Sequence, residues 1–268
     1  VDDNRTGGQK GYDSDSFMFE GGSPWGSVIG NRSFGAYFKA GIPLRDDQSS
    51  SIAAIADYTF HDMDSRFGSS FYLGRQHSGF LNLLYRNKLN GSHDFTVGLS
   101  SVADSYDEDL YRQVALGETR NLMSPKFLSG GLFGEYTFHH DDKFSAILGA
   151  RAQMYKDERI KFIPRATLKW QPEDHVVLRL NAGRGLRYSH PLLDNIGVFS
   201  TGKTFIGEYA LNPLEDSWIW GGNLTFYIPA GYNPENTYFS IDYFRYSFSN
   251  HMVADYEKTP REIRSEEH

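Results

Sequence analysis

From Ala166 to Ala182 the chain reads ATLKWQPEDHVVLRLNA, and its apolar and polar residues alternate with a period of two. No other feature constrains the fold as tightly. In an extended strand Ala166, Leu168 and Trp170 share one face while Arg165, Thr167 and Lys169 share the other. Beyond the short Pro-containing turn QPEDH, Val176, Leu178, Leu180 and Ala182 oppose Val177, Arg179 and Asn181. This describes an antiparallel hairpin with one apolar and one strongly polar face.

The unit recurs. Leu132, Gly134, Tyr136 and Phe138 alternate with Glu135, Thr137 and His139; past the turn, Phe144, Ala146, Leu148, Ala150, Ala152 and Met154 oppose Arg151 and Gln153. The stretches SIAAIADYTF, FLNLLYRNK, DFTVGLSS and SWIWGGNLTFYI follow the same rule. About ten strands are expected, with weaker alternation near 17–29 and after Ser249. Short turns (PLRDDQ, KLNGSH, HHDDK, QPEDH, PAGYNPEN) alternate with long links at 61–78, 103–129, 156–161 and 186–216. Short turns at one end and long loops at the other are the mark of an up-and-down transmembrane β-barrel.

Composition supports that class. Twenty Phe, 17 Tyr and 4 Trp exceed ordinary usage, and Phe138, Phe144, Tyr155, Trp170, Trp218 and Trp220 near strand ends suit an interfacial girdle. A mean hydropathy of −0.52 leaves no run of about 18 apolar residues for a membrane helix, but a barrel meets lipid only at alternate positions. The net charge of −7 argues against nucleic acid as a partner. Having no cysteine, the chain forms neither disulfides nor thiolate metal sites. Soluble barrels also alternate, with the apolar face turned inward, so a soluble ligand-binding β-barrel module and a porin-like passive channel stay open as alternatives. Mid-strand Arg86, Arg151, Arg165, Lys169 and Arg179, with Glu135 and Asp57, favour a water-filled lumen behind a lipid-facing wall. No G-x-S-x-G, H-E-x-x-H or phosphate-binding glycine loop occurs, and no serine is placed with His139, His140 and Asp141, so an enzyme is not expected.

Three segments in order, PRATLKWQPEDHVVLRLNAGRGLRYSHPLLDN, LNPLEDSWIWGGNLTFYI and YFSIDYFRYSFSNHMVADYE, resemble the barrel of Bacteroidetes-type TonB-dependent outer-membrane receptors, the cobalamin, haem and siderophore receptors included. Upstream, YLGRQHSGFLNLLYRNKLNGSHDFTVGLSSVADSYDEDL and GGLFGEYTFHHDDKFSAILGARAQMYKD look like the preceding strands of such barrels. The resemblance runs from about Trp25 to Tyr256. It implies import of a scarce nutrient across the bacterial outer membrane through a barrel of about 22 strands, plugged by an N-terminal domain through which TonB acts. Neither plug nor TonB box is recognisable, and the last barrel strands are missing, so the chain is expected to be one partial barrel domain, 1–268, holding about ten to twelve strands.

On that resemblance Tyr188, His190, Asp194 and Asn195 in the 186–216 outer loop are candidate contacts for a corrinoid, haem or siderophore. The haem-receptor branch carries an outer-loop His between two motifs that LRYS and NPLE match only in part. Arg86, Glu135, Arg151, Arg165, Lys169 and Arg179 would line the lumen and meet plug carboxylates or anionic substrate. Asp104, Asp107, Glu108 and Asp109 crowd into ADSYDEDLY; hard cations favour several carboxylate oxygens, and cobalamin receptors bind calcium in acidic outer loops. A solvated acidic loop is the alternative.

Overall fold

The computed structural model describes residues 2–13, 24–114, 117–156, 159–190, 204–206, 214–228, 237–255 and 262–267, and among these every regular element is a strand. The principal sheet follows chain order: β1 (Asp2–Gly8), β2 (Gly26–Pro43), β3 (Ser50–Phe67), β4 (Ser70–Lys88), β5 (His93–Val114), β6 (Gly117–Met123), β7 (Lys126–His140), β8 (Phe144–Tyr155), β9 (Lys161–Glu173), β10 (Val176–Tyr188), β12 (Leu214–Tyr227) and β13 (Tyr238–Asn250). Each strand pairs antiparallel with its neighbour, and β6 folds back on the upper part of β5 before β7 resumes beside its lower part. A small second sheet joins β11 (Thr204–Ile206), β15 (Glu262–Glu267) and β14 (Met252–Asp255). The chain is therefore an all-β antiparallel meander of the expected kind.

The sheet is open, with β1 and β13 at its two edges. β1 covers only residues 26–32 of β2, so 33–43 form an edge with no partner among the described residues. An unpaired edge of this length is a template for further strands.

Four turns at one end are short. Residues 44–49, 89–92, 141–143 and 174–175 reverse the chain, and the left-handed conformations there fall on Gln48 (φ 56°) and Asp141 (φ 48°). At the other end the expected long link 61–78 is instead strand on both sides of a two-residue turn. Gly68 takes φ 57° there, and a Cβ would meet the Trp25 ring at 2.9 Å. Likewise 103–111 is part of β5, not a loop. β5 runs for 22 residues, about 70 Å at ordinary strand rise, whereas crossing the hydrocarbon takes about 9–11 residues. Roughly half of each long strand stands beyond the membrane.

The rows of register-paired residues are steeply inclined. Pro43, the last residue of β2, leads through Ser51, Arg86, Thr96, Glu135, Gly149, Arg165, Gly183 and Ile219 to Tyr246 of β13. One row thus begins at the short-turn end of β2 and finishes four residues from the opposite end of β13. Barrel walls require this stagger, because strands must tilt to close.

Candidate ligand cleft and lipid face

The apolar face has no protein packed on it. Ile52, Leu83, Leu99, Leu132, Leu148 and Leu180 all project outward and are exposed, Leu132 by 63%. Register pairs such as Leu148 with Ala166, and Ala182 with both Ala166 and Trp220, make this band continuous across the strands. Two shallow, almost wholly apolar depressions of about 850 and 500 Å³ lie on it. A water-exposed band of this size would aggregate; hydrocarbon solvates it. Aromatics bound the band at the short-turn end, where His93 stacks near Tyr136 and Phe138 packs edge-on to Phe144. Tyr155 is a correction to the girdle. Period two from Arg151 and Gln153 puts it on the polar face, where it is 7% exposed.

The opposite face carries all six expected lumen residues. Arg86 donates to Asp94 at 3.1 Å, and Arg165 pairs with Glu135 across Gly149, where a Cβ would come within 2.9 Å of the arginine side chain. Arg151 lies over the Phe133 ring, its guanidinium carbon 5.6 Å from the centroid. Lys169 and Arg179 stand directly opposite one another; Arg179 donates to Asn223 at 3.2 Å, and Asn223 donates to Asp242 at 2.8 Å. Asp57 accepts from Thr59 at 3.3 Å.

The four acidic candidates are divided by the alternation of β5, which turns Asp104 and Glu108 to one face and Asp107 and Asp109 to the other. Ser78 donates to Asp104, Ser124 donates to Asp107 at 2.9 Å, and Arg120 holds Asp109 at 2.7 Å. Among the described residues no group of three or more His, Asp and Glu side chains is arranged to hold a metal ion.

Glu108 has a different setting. Its side chain is 1% exposed, accepts the Tyr72 hydroxyl at 2.5 Å, and faces His190 Nε2 at 3.2 Å. The Tyr72 ring lies along its own strand over Gly74, where a Cβ would meet the hydroxyl at 2.6 Å. Burial, with the Glu108 charge second, pushes the Tyr72 phenol well above its ordinary range. Tyr72 and Leu110 form the one fully buried apolar pair among the described residues, flanked by Met63, Phe67 and Met123.

His190 belongs to an aromatic group beside this point. Its ring is 5.1 Å from Tyr106; Phe127 stacks on Tyr188 at 4.6 Å, and Tyr155 meets Tyr188 edge-on at 5.6 Å. Beneath them lies a cleft of about 550 Å³, lined also by Asp104, Ser129, Arg151, Gln153, Arg165, Arg184 and Arg187. Tyr188 and His190 are therefore brought together; Asp194 and Asn195 lie outside the described residues. Sequence reasoning missed Tyr72, Tyr106, Phe127, Arg184 and Arg187. Extending period two past Arg151 and Arg179 reaches Gln153, Tyr155 and Arg187, so part of the cleft was available to the pattern.

A continuous apolar band outside, a polar face inside and inclined strand rows define the wall of an outer-membrane β-barrel. The comparisons with known proteins agree. The chain belongs to the family described as TonB dependent receptor-like, beta-barrel, which matches residues 1–262 and comprises receptors and transporters of the bacterial outer membrane, not enzymes. No curated protein sequence matches the chain. Among solved structures, the hemophore receptor HasR of Serratia marcescens, in complex with its hemophore HasA and heme, is similar at TM-score 0.62 and 14% identity, covering 90% of this chain and 45% of HasR. The alcaligin outer-membrane receptor FauA of Bordetella pertussis is similar at 0.55 and 12%, covering 90% and 42%. BauA, the ferric preacinetobactin receptor of Acinetobacter baumannii, gives 0.55 and 12%, covering 90% and 41%. At these identities the likeness is one of fold, and the chain spans less than half the length of each.

Proposed function

We propose that the chain forms part of the wall of a TonB-dependent receptor that captures a scarce nutrient, a corrinoid, haem or metal chelate, and imports it through a plugged barrel. The observation that carries this reading is the 550 Å³ cleft on the polar face, walled by Tyr106, Phe127, Tyr155 and Tyr188 and floored by arginines. It reaches from Arg151 and Arg165 up to Tyr188 and His190 at the end of β10, while Arg86, Glu135, Lys169 and Arg179 lie toward the short turns, so a ligand arriving from the other end meets the cleft first. Neighbours that bind heme with a hemophore, alcaligin or ferric preacinetobactin supply the ligand classes worth trying. In this reading TonB acts through a plug domain and not through these strands, and lipid covers the outward band.

Equilibrium binding of cyanocobalamin, haemin and a panel of ferric chelates to the detergent-solubilised protein tests the proposal. Saturable binding of one of them, weakened by Tyr188→Ala, is the expected result. Free permeation of unrelated sugars and ions through the protein in a planar bilayer, with none of these ligands bound, would overturn it in favour of a passive channel.

A further inference from the structure

The arginines of the cleft are unequally partnered. Arg184 meets Asp216 at 2.5 Å, Arg187 meets Glu215 at 2.6 Å, and Arg165 pairs with Glu135. Arg151 has no carboxylate within ion-pair reach among the described residues. Its Nη1 donates to the neutral side chain of Gln153 at 3.2 Å, and Gln153 in turn donates to Ser129 at 2.9 Å. The guanidinium is positioned by Phe133 on one side and Gln153 on the other, and among the described residues it faces the cleft without a carboxylate in ion-pair contact. Along the same wall Tyr155, Tyr188 and Phe127 form a linked set of rings.

A guanidinium fixed by an aromatic ring and an amide presents a planar fork that a carboxylate, sulfonate or phosphate oxygen pair fits. Ring faces beside it favour a flat conjugated group over a flexible chain, because stacked aromatic surface is buried at small entropic cost. Asp104 on the β5 side of the cleft disfavours a second negative group there.

Resting on the receptor reading above, we propose that this cleft selects a ligand with a flat conjugated ring and one anionic group, the anion seated on Arg151 and the ring against the Tyr155, Tyr188 and Phe127 wall. A neutral analogue of the same ring would leave the arginine unpaired. Charge-assisted hydrogen bonds of this kind separate the two by about 10- to 100-fold in affinity.

The test uses two probes of one ring system, 2-naphthoate and 2-naphthalenemethanol, with the protein held in amphipol and binding read by saturation-transfer NMR. The expected result is saturable naphthoate binding at least about 10-fold tighter than the alcohol. Arg151→Gln should erase that preference, Arg151→Lys should keep part of it, and Arg75→Gln, the same charge change on the outward face where Arg75 pairs with Asp62, should leave it intact. Equal binding of both probes in the parent protein, with Arg151→Gln silent, overturns the anionic assignment while leaving the cleft a ligand site. Absence of saturable binding by either probe, or binding indifferent to Tyr188→Ala, overturns the assignment and the cleft's role in the receptor together.

Discussion

His190 Nε2 lies 3.2 Å from Glu108 Oε2, although β10, which delivers the histidine, is separated in the sheet from β5 by β7, β8 and β9. Laid flat, those four strand spacings would span about 19 Å. The polar face is therefore concave at this level, and the pair closes a chord across it. Removing one partner leaves a buried polar group short of a bond. His190→Ala and Glu108→Gln are each expected to cost about 1–3 kcal/mol. Their double-mutant cycle should give a coupling of about 0.5–3 kcal/mol in denaturant unfolding. Additivity of the two single changes would show that the contact contributes nothing.

Tyr72 makes a pH prediction with a definite sign. Its phenol holds its proton in the folded state above the ordinary pKa near 10, because burial and the Glu108 charge both oppose the phenolate. A folded pKa raised above the unfolded value means stability fully present below about pH 10 and lost progressively as pH rises beyond it. Alkaline titration followed by phenolate absorbance should show one tyrosine that ionises only on unfolding. In Tyr72→Phe that late step should vanish, and the alkaline loss of stability should become shallower.

Gly74 is required by the ring that covers it. Gly74→Ala puts a Cβ 2.6 Å from the Tyr72 hydroxyl and within 2.8 Å of its ring carbons, and is expected to cost about 1–3 kcal/mol. Adding Tyr72→Ala should relieve that clash, so this second change costs less in the Gly74→Ala variant than in the parent. Equal costs on both backgrounds would contradict the overlap.

Lys169 opposite Arg179 is a like-charge cross-strand pair, which destabilises by a few tenths to about 1 kcal/mol. Lys169→Glu is accordingly expected to stabilise the chain slightly, raising its urea midpoint at low salt and less at high salt. A salt-independent change would point to packing instead.

Ala166 and Thr167 are adjacent and face opposite ways. Ala166→Arg, in the middle of the apolar band, is expected to cost about 2–4 kcal/mol for folding into lipid vesicles, while Thr167→Arg on the polar face should be near neutral. Comparable costs at the two positions would reverse the assignment of the faces.

The lipid-spanning half of each strand was legible because two solvents write the alternation: Ala166 and Leu180 answer to hydrocarbon, Arg165 and Arg179 to water. Above the band both faces meet water, and that signal disappears. In 61–78 the outward positions become Asp62, Asp64 and Arg75, so the segment reads as loop although the backbone ladder continues through Arg75 opposite Asp62. The acidic run 104–109 read as one loop for the same reason. A cluster in sequence became two rows on opposite faces once the segment proved to be strand. The cleft was only partly legible, since bringing Asp104 and Tyr106 beside Tyr188 and His190 depends on sheet curvature, and no local pattern encodes it.

The inclined row from Pro43 to Tyr246 has a mechanical consequence. It passes through Arg165 and Gly183, beside the cleft, and its steps alternate between hydrogen-bonded and non-hydrogen-bonded pairs, as antiparallel ladders do. A load applied at the foot of β2 is carried obliquely up this line as shear between strands. The wall is thus braced along one diagonal, which runs from the foot of β2 toward the long-strand end of β13.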